Sequence, residues 1–405
     1  MIDMIKNKRK SSLGKEANDL SFVCFGGQDW WYHNRGHIDF QLMKRFSSKG
    51  ITLYVNSIVM QKANLHEGKK LIKRFVRKTK SIFKGLKWAN EDLWIYSPFT
   101  LPVHHINWAR PFNELLVRLQ VLFTSRKIGI HFPIVWVVCP AACDTAIKMR
   151  KSALVYQRTD LYEEFPNVDY VTIRDYDLKL KENADLTLFV NRRLYMAESE
   201  QCKRAFYLDH GVDYDMFAIE KKTAWPLDVD GIKKPLIGYF GTIDGHTVDI
   251  KFLEELVELL PNMSFVFVGD VSSPCSLLKS KKNVWMLGQK PYMQIPDYGS
   301  CFDVCIMAWR HTRWIESCNP IKLKEYLALG KPVVSTPFTE LENYQDVVYE
   351  AATPKEFVEC IKRALAEDSP ERIAARRKKV QTSTWDSKAE LVLQELFGKA
   401  NDHSA

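Results

Sequence analysis

No stretch of this 405-residue chain approaches the roughly 18 consecutive apolar residues that a membrane-spanning helix needs. None of its nine cysteines forms a Cys-X-X-Cys pair. Cys139/Cys143 and Cys301/Cys305 are four apart, but the second pair falls on a strand and no histidine completes a zinc set. That excludes a disulfide scaffold and a structural zinc site. The thiols read as reduced and packed, which points to a cytosolic compartment. His33 and His37 are four apart without a third ligand, so neither a metal nor a bound cofactor is expected. The first residues, MIDMIKNKRKSSLGKE, lack the apolar centre of a signal peptide and read as a disordered polar tail over residues 1–19. No repeat of solenoid period occurs. Acidic residues are scarce at the front: residues 1–130 hold 9 Asp/Glu against 23 Lys/Arg. The chain's formal +9 therefore divides into +14 there and −5 in the remainder. A basic front half points to an anionic surface near it.

The length suits two ordinary domains, and 46% hydrophobic residues can fill their cores. Short apolar runs alternate with helical stretches from Ser21 to Leu208, and again from Leu236 to Tyr349. This rhythm predicts an α/β protein with parallel sheets covered on both faces. The charged, Pro/Gly-punctuated residues 218–235 read as a linker between domains spanning 20–217 and 236–384. A last amphipathic helix, 385–398, is expected to cross back to the first domain. Two doubly wound domains facing one another would open a cleft at the carboxyl ends of their strands.

The densest signal is Asp303–Thr336, DVCIMAWRHTRWIESCNPIKLKEYLALGKPVVST. It predicts a buried strand, a charged loop, a helix from about Ile321 to Leu329, a Gly-Lys-Pro turn and another strand. Free N–H groups at a helix start suit an anion. Lys322 in the first turn opposes the helix dipole unless a phosphate answers it. Glu325, three residues on, shares its face. A cation for diphosphate beside a carboxylate for sugar hydroxyls is what a nucleotide-sugar site requires. Arg310 and Arg313 in the loop are candidate helpers. Glu316 either touches the donor sugar or faces water, and Asn319 stands at the helix mouth. Gly241 and Gly269 end strands where a bare backbone lets a ligand approach closely.

Two stretches of the first domain stand out. Trp30, Trp31, Tyr32, His33, Arg35 and His37 follow the first strand. Trp30, Arg35 and His37 are candidate acceptor contacts, since aromatic faces stack on sugars and Arg meets phosphate. Lys62–Lys87 holds ten Lys/Arg against one Glu, with Leu71, Ile72, Phe75, Val76, Ile82, Phe83 and Leu86 at near-helical spacing. It reads as a basic amphipathic helix on a membrane surface, or as a solvated helix packing its apolar stripe on the domain.

Several motifs recur in a known order: His210-Gly211-Val212-Asp213 with Phe217, Ile237-Gly238-Tyr239-Phe240-Gly241, Val268-Gly269, and Leu287-Gly288-Gln289-Lys290-Pro291-Tyr292. Asn319-Pro320-Ile321-Lys322-Leu323-Lys324-Glu325 and Gly330-Lys331-Pro332 complete the set. Together they resemble GT-B fold glycosyltransferases of the family 4 type. Within that group the likeness is greatest to teichuronic-acid-type and xanthan glucuronosyltransferase-like enzymes. The resemblance covers residues 20–398 and is strongest over 236–337. It implies two Rossmann-like doubly wound domains, with the nucleotide sugar in the second and Tyr292 against its base. Ser317 stands where such enzymes often carry a first glutamate, and the segment Gly241–His246 lacks their Arg and Lys. The glucuronosyltransferase-like variant, with a helix lysine on the diphosphate, fits this pattern. It inverts the anomeric centre and takes a base from the first domain, where Asp160 or Asp29 is the candidate.

The resemblance thus implies hexosyl or glycuronosyl transfer without metal. The donor would be a nucleotide sugar, UDP-linked with glucuronic acid a candidate, and the acceptor a lipid-linked saccharide of cell-surface or exopolysaccharide synthesis. The protein would be cytoplasmic and peripheral on the inner membrane face through Lys62–Lys87. Nucleic acid is not expected as a partner. Two other readings stay open: a sugar-nucleotide epimerase of the same fold, and a non-catalytic basic binding protein.

Overall fold

A computed structural model describes residues 20–32, 36–58, 68–101, 107–165, 167–219 and 225–398. The expected tail, His33, Arg35 and residues 62–67 of the basic segment lie outside them. The chain forms two units. One comprises residues up to Val190, Leu194–Leu208 and Leu391 onward; the other comprises Asn191–Arg193 and Asp209–Glu390.

The first unit is an eight-stranded sheet in the order β3-β4-β2-β1-β5-β6-β7-β8. Its strands are β1 (Ser21–Phe25), β2 (Ile51–Val55), β3 (Lys87–Asn90), β4 (Leu93–Tyr96), β5 (Ile134–Val137), β6 (Ala153–Arg158), β7 (Leu186–Phe189) and β8 (Ala205–Tyr207). All neighbours are parallel except β3, which runs antiparallel to β4. Phe22, Val23, Cys24 and Phe25 of β1 are buried because helices cover both faces of a parallel sheet. The end of the basic segment, at Lys87, joins β3 instead of continuing a helix.

The second unit is a six-stranded parallel sheet in the order β11-β10-β9-β12-β13-β14. The strands are β9 (Leu236–Phe240), β10 (Ser264–Val268), β11 (Val284–Met286), β12 (Val304–Met307), β13 (Val333–Ser335) and β14 (Tyr349–Glu350). In both sheets the strand order reverses beside the first strand, between β1 and β5 and between β9 and β12. At such switch points loops diverge from the carboxyl ends and leave room for a ligand.

The expected domain limits shift. Asp209–Phe217, assigned by sequence to the first domain, belongs to the second unit. Val212 bridges to Thr384, and Phe217 lies in the second core against Phe240 and Tyr292. Val229, inside the expected linker, is fully buried in that core. The final helix, Trp385–Phe397, is divided: through Glu390 it groups with the second unit and from Leu391 with the first. None of the nine cysteines is paired. No helix among the described residues is long and apolar enough to cross a membrane.

Candidate active site

The second switch point is built around Lys322. Its helix, Ile321–Ala328, is capped by Pro320 in extended conformation, so the proline sits just outside the first turn. The half-buried Lys322 side chain reaches back to Gly241 at the end of β9. A Cβ on Gly241 would lie 2.1 Å from Lys322 Cε and 3.0 Å from its Nζ. The glycine, at φ +139°, leaves that space empty. The bare backbone thus admits a lysine side chain. Gly269 fits beside it for a related reason: a Cβ there would meet the Gly241 carbonyl at 2.0 Å.

The Lys322 ammonium lies 6.0 Å from the ring centres of Tyr239, next to last in β9, and of Trp309, two residues past β12. It makes no hydrogen bond or ion pair among the described residues. Burial pulls its pKa below the usual lysine range, while Glu325 and Asp244 draw it back up. A cation held by rings, with donors unspent, is prepared for an anion that arrives with the ligand. Neither Trp309 nor the Tyr239 ring stands out in the sequence as a partner for the Lys322 cation. An aromatic residue near the carboxyl end of each strand flanking the switch point was the available signal.

Glu325 is only 3% exposed and accepts a hydrogen bond from Tyr292 Oη at 2.9 Å. Burial pushes its carboxyl up to about 7, against the pull of Tyr292 and Lys322. Tyr292 also rests on Phe217, with ring centroids 5.9 Å apart. The loop after β9 is pinned by Asp244, which accepts from the backbone N–H groups of His246 (3.1 Å) and Thr247 (2.7 Å). Arg310 is exposed and donates to the Gly245 carbonyl at 2.8 Å, so it braces this loop; Arg313 is also exposed. Glu316 is ion-paired with Arg193 and faces His311 Nε2 at 3.3 Å, so it does not simply face water. Asn319 is half-buried next to the helix start. Ser317, at the vacant glutamate position, donates to the Arg313 carbonyl at 3.1 Å.

In the first unit, Asp160 is half-buried two residues past β6. Burial pushes its carboxyl up to about 6, with Arg158 opposing. Arg158 itself is fully buried and holds Glu163 at 2.9 Å, Asp177 at 3.2 Å and Glu198 at 3.3 Å. This fixes the strand end that carries Asp160. Asp29 is 9% exposed and accepts from the Trp31 backbone at 2.9 Å, the turn role its type favours.

The aromatic cluster differs from the acceptor surface expected. Trp30 is 5% exposed, edge-on to Phe40 at 5.0 Å and tilted on Tyr54 at 5.6 Å. It is a core residue with no face for a sugar. Lys84 covers Trp31 at 4.2 Å, and Arg77 lies over Tyr32 at 5.7 Å. His37 is exposed, with its ring edge 6.0 Å from Phe40. Among the described residues no group of three or more His, Cys, Asp or Glu could hold a metal.

Residues 234–367 match the family described as Glycosyl transferases group 1. A putative teichuronic acid biosynthesis glycosyltransferase, TuaH of Bacillus subtilis (strain 168), is 24% identical over 250 residues, 58% of this chain and 62% of the relative. The match thus spans less than two thirds of that protein's length. Sucrose-phosphate synthase from Thermosynechococcus elongatus superposes with a TM-score of 0.68 at 13% identity, covering 94% of this chain and 100% of that one. Anabaena HepE in complex with UDP-glucose gives 0.64 at 13% identity over 94% and 100%. At such identities these structures speak for the fold. The chain therefore has the GT-B fold of glycosyltransferases, and residues 234–367 of its second unit carry the group 1 glycosyltransferase match.

Proposed function

We propose that this chain transfers a sugar from a UDP-sugar, with a uronic acid such as glucuronic acid as the sugar, to a lipid-linked saccharide in cell-surface polysaccharide synthesis. The observation that carries the reading is the unpaired Lys322 ammonium against Gly241 at the second switch point. The HepE complexes with UDP and UDP-glucose support the donor class, and the teichuronic acid biosynthesis assigned to TuaH supports a polysaccharide product.

The chemistry follows from charge. The acceptor hydroxyl oxygen bonds to the anomeric carbon as the bond from that carbon to the diphosphate breaks. Its proton passes to Asp160, a carboxylate above about pH 6. Negative charge grows on the departing UDP, where Lys322 and the N–H groups at the start of Ile321–Ala328 offset it. Glu325 receives hydrogen bonds from the ribose hydroxyls. No metal is required for these steps. The protein works at the inner membrane face, held there through the basic segment.

A thermal-shift panel of UDP-, GDP- and TDP-sugars on wild type and Lys322→Ala tests the donor site. A UDP-sugar should raise the wild-type melting temperature and fail to raise that of the variant. Equal shifts in both proteins would remove Lys322 from the donor site. Turnover of the nucleotide sugar without any acceptor would favour an epimerase instead.

A further inference from the structure

The helix Arg110–Lys127 buries one side and leaves the other bare. Asn113, Val117, Val121, Thr124 and Ser125 are buried. Phe112 is 59% exposed, Leu115 41%, Leu119 55% and Phe123 72%. At about 3.6 residues per turn, these four fall on one stripe opposite the buried side. Trp108, in the turn leading into the helix, is 82% exposed and extends the stripe by four residues.

The helix Lys69–Phe83 repeats the pattern and adds charge. Ile72 (64%), Phe75 (70%), Val76 (42%) and Phe83 (84%) are exposed. On its opposite side the buried Ser81 hydrogen-bonds Asn56 at 3.2 Å and Ser97 at 2.6 Å. Its sequence, KKLIKRFVRKTKSIF, contains no acidic residue. The segment after β4 links the two helices. Ser97 holds Ser81, and the Phe99 backbone exchanges hydrogen bonds with Gln120 at 2.9 Å each way. Phe99 is itself 48% exposed. Single exposed apolar residues are ordinary, but stripes on adjoining segments mark an interaction site.

Charge selects the occupant. Glu114, the one acid of Arg110–Lys127, is held on the inner side by Lys148 at 2.5 Å and Arg118 at 3.5 Å. Arg126 and Lys127 stand exposed at the helix end. Apolar stripes bordered by cations, on helices unable to span a bilayer, match an anionic lipid surface.

We infer that Arg110–Lys127 is an insertion helix, whose Trp108-to-Phe123 stripe enters the acyl boundary of an anionic leaflet. Lys69–Phe83 lies beside it against the headgroups. This deepens the peripheral attachment proposed above: the apolar grip resides in a helix outside the basic segment, which supplies the electrostatic part.

Co-sedimentation of the full chain with phosphatidylcholine vesicles, with and without phosphatidylglycerol, tests it. Binding should require the anionic lipid and weaken in high salt. Leu119→Ser/Phe123→Ser should weaken it by at least about tenfold, while the melting temperature and its shift with UDP-sugar stay at wild-type values. Vesicle binding by the variant equal to wild type would overturn the inference, and would leave sugar transfer untouched. A concentration-dependent dimer abolished by the same variant, without vesicle binding, would also overturn it and assign the stripe to a second copy. Loss of vesicle binding in the variant alongside a wild type that transfers no sugar would sustain the inference and sink the transferase reading.

Discussion

Gly241 and Lys322 share one volume: the Cβ that Gly241 lacks would sit 2.1 Å from Lys322 Cε. The two positions therefore act as a unit. Lys322→Ala should lower kcat/KM by about 10²–10³-fold, as expected for one pre-positioned charge at a developing anion. Gly241→Ala should lower it too, by displacing the lysine. The double variant should be little worse than either single one. Additive losses in this cycle, measured with a UDP-sugar, would show that the two residues act separately.

Asp160 predicts the acid limb of the rate profile. Burial raises its carboxyl to about 6, so the proton-accepting form gains population as pH rises through that value. kcat/KM should climb between about pH 5 and 7 and then level. Asp160→Asn should remove the limb and cost about 10²–10⁴-fold. A variant with wild-type rate would transfer the base role elsewhere, with Asp29 next to be examined.

Tyr292→Phe tests the carboxylate that faces the donor. The Tyr292 hydroxyl favours the ionised form of Glu325, whose carboxyl burial has raised to about 7. Without that bond the value should rise further. UDP-sugar affinity at neutral pH should fall, and its midpoint on a calorimetric pH series should move upward. An unmoved midpoint would mean that ionised Glu325 does not bind the donor.

Lys324 neighbours the site and plays a different part. It is 2% exposed, held by Asp209, the His210 carbonyl and Ser383 at 2.8 Å. Burial lowers its pKa to about 8. Asp209, which burial alone would raise, is brought below its usual range by Lys324 and Lys388. The stability Asp209 contributes is therefore present above its unfolded value near about 3.9 and lost as pH falls through the lower folded value. Lys324→Ala should cost about 1–3 kcal/mol, since it removes the donor shared by Asp209, His210 and Ser383 and leaves the partly exposed Asp209 with Lys388 alone, at 3.4 Å. Urea unfolding at pH 7 measures it. A change under about 0.5 kcal/mol would show that the cluster contributes little.

Most strands were legible in the sequence, but β3 (Lys87–Asn90), at the end of the basic segment read as a helix, was not. Leu93–Tyr96, Leu236–Phe240, Ser264–Val268, Val284–Met286 and Val333–Ser335 lie where the apolar runs predict them. Leu236–Phe240, Ser264–Val268 and Val333–Ser335 are buried on both faces and so largely apolar throughout, and that pattern is local. The helix Arg110–Lys127 escaped such a reading because it is apolar on both its buried and its exposed sides, which blurs the helical period. Trp30 misled for another reason. A tryptophan beside Trp31, Tyr32 and two histidines looks the same whether its face is free or covered, and only Phe40 and Tyr54, brought in from other elements, decide it.

The sequence by itself determined that two α/β sheets would form, and that Lys322 and Glu325 would share a helix face. Periodicity and spacing along one segment suffice for both. Only the tertiary structure decided what those residues meet. Gly241, 81 positions before Lys322, vacates the space its side chain fills, and Tyr292, 33 positions before Glu325, takes one of its acceptor sites. The first pairing comes from the parallel adjacency of β9 and β12 at the switch point, the second from the turn that follows β11. Sheet order is set by the packing of whole layers, which no single segment encodes.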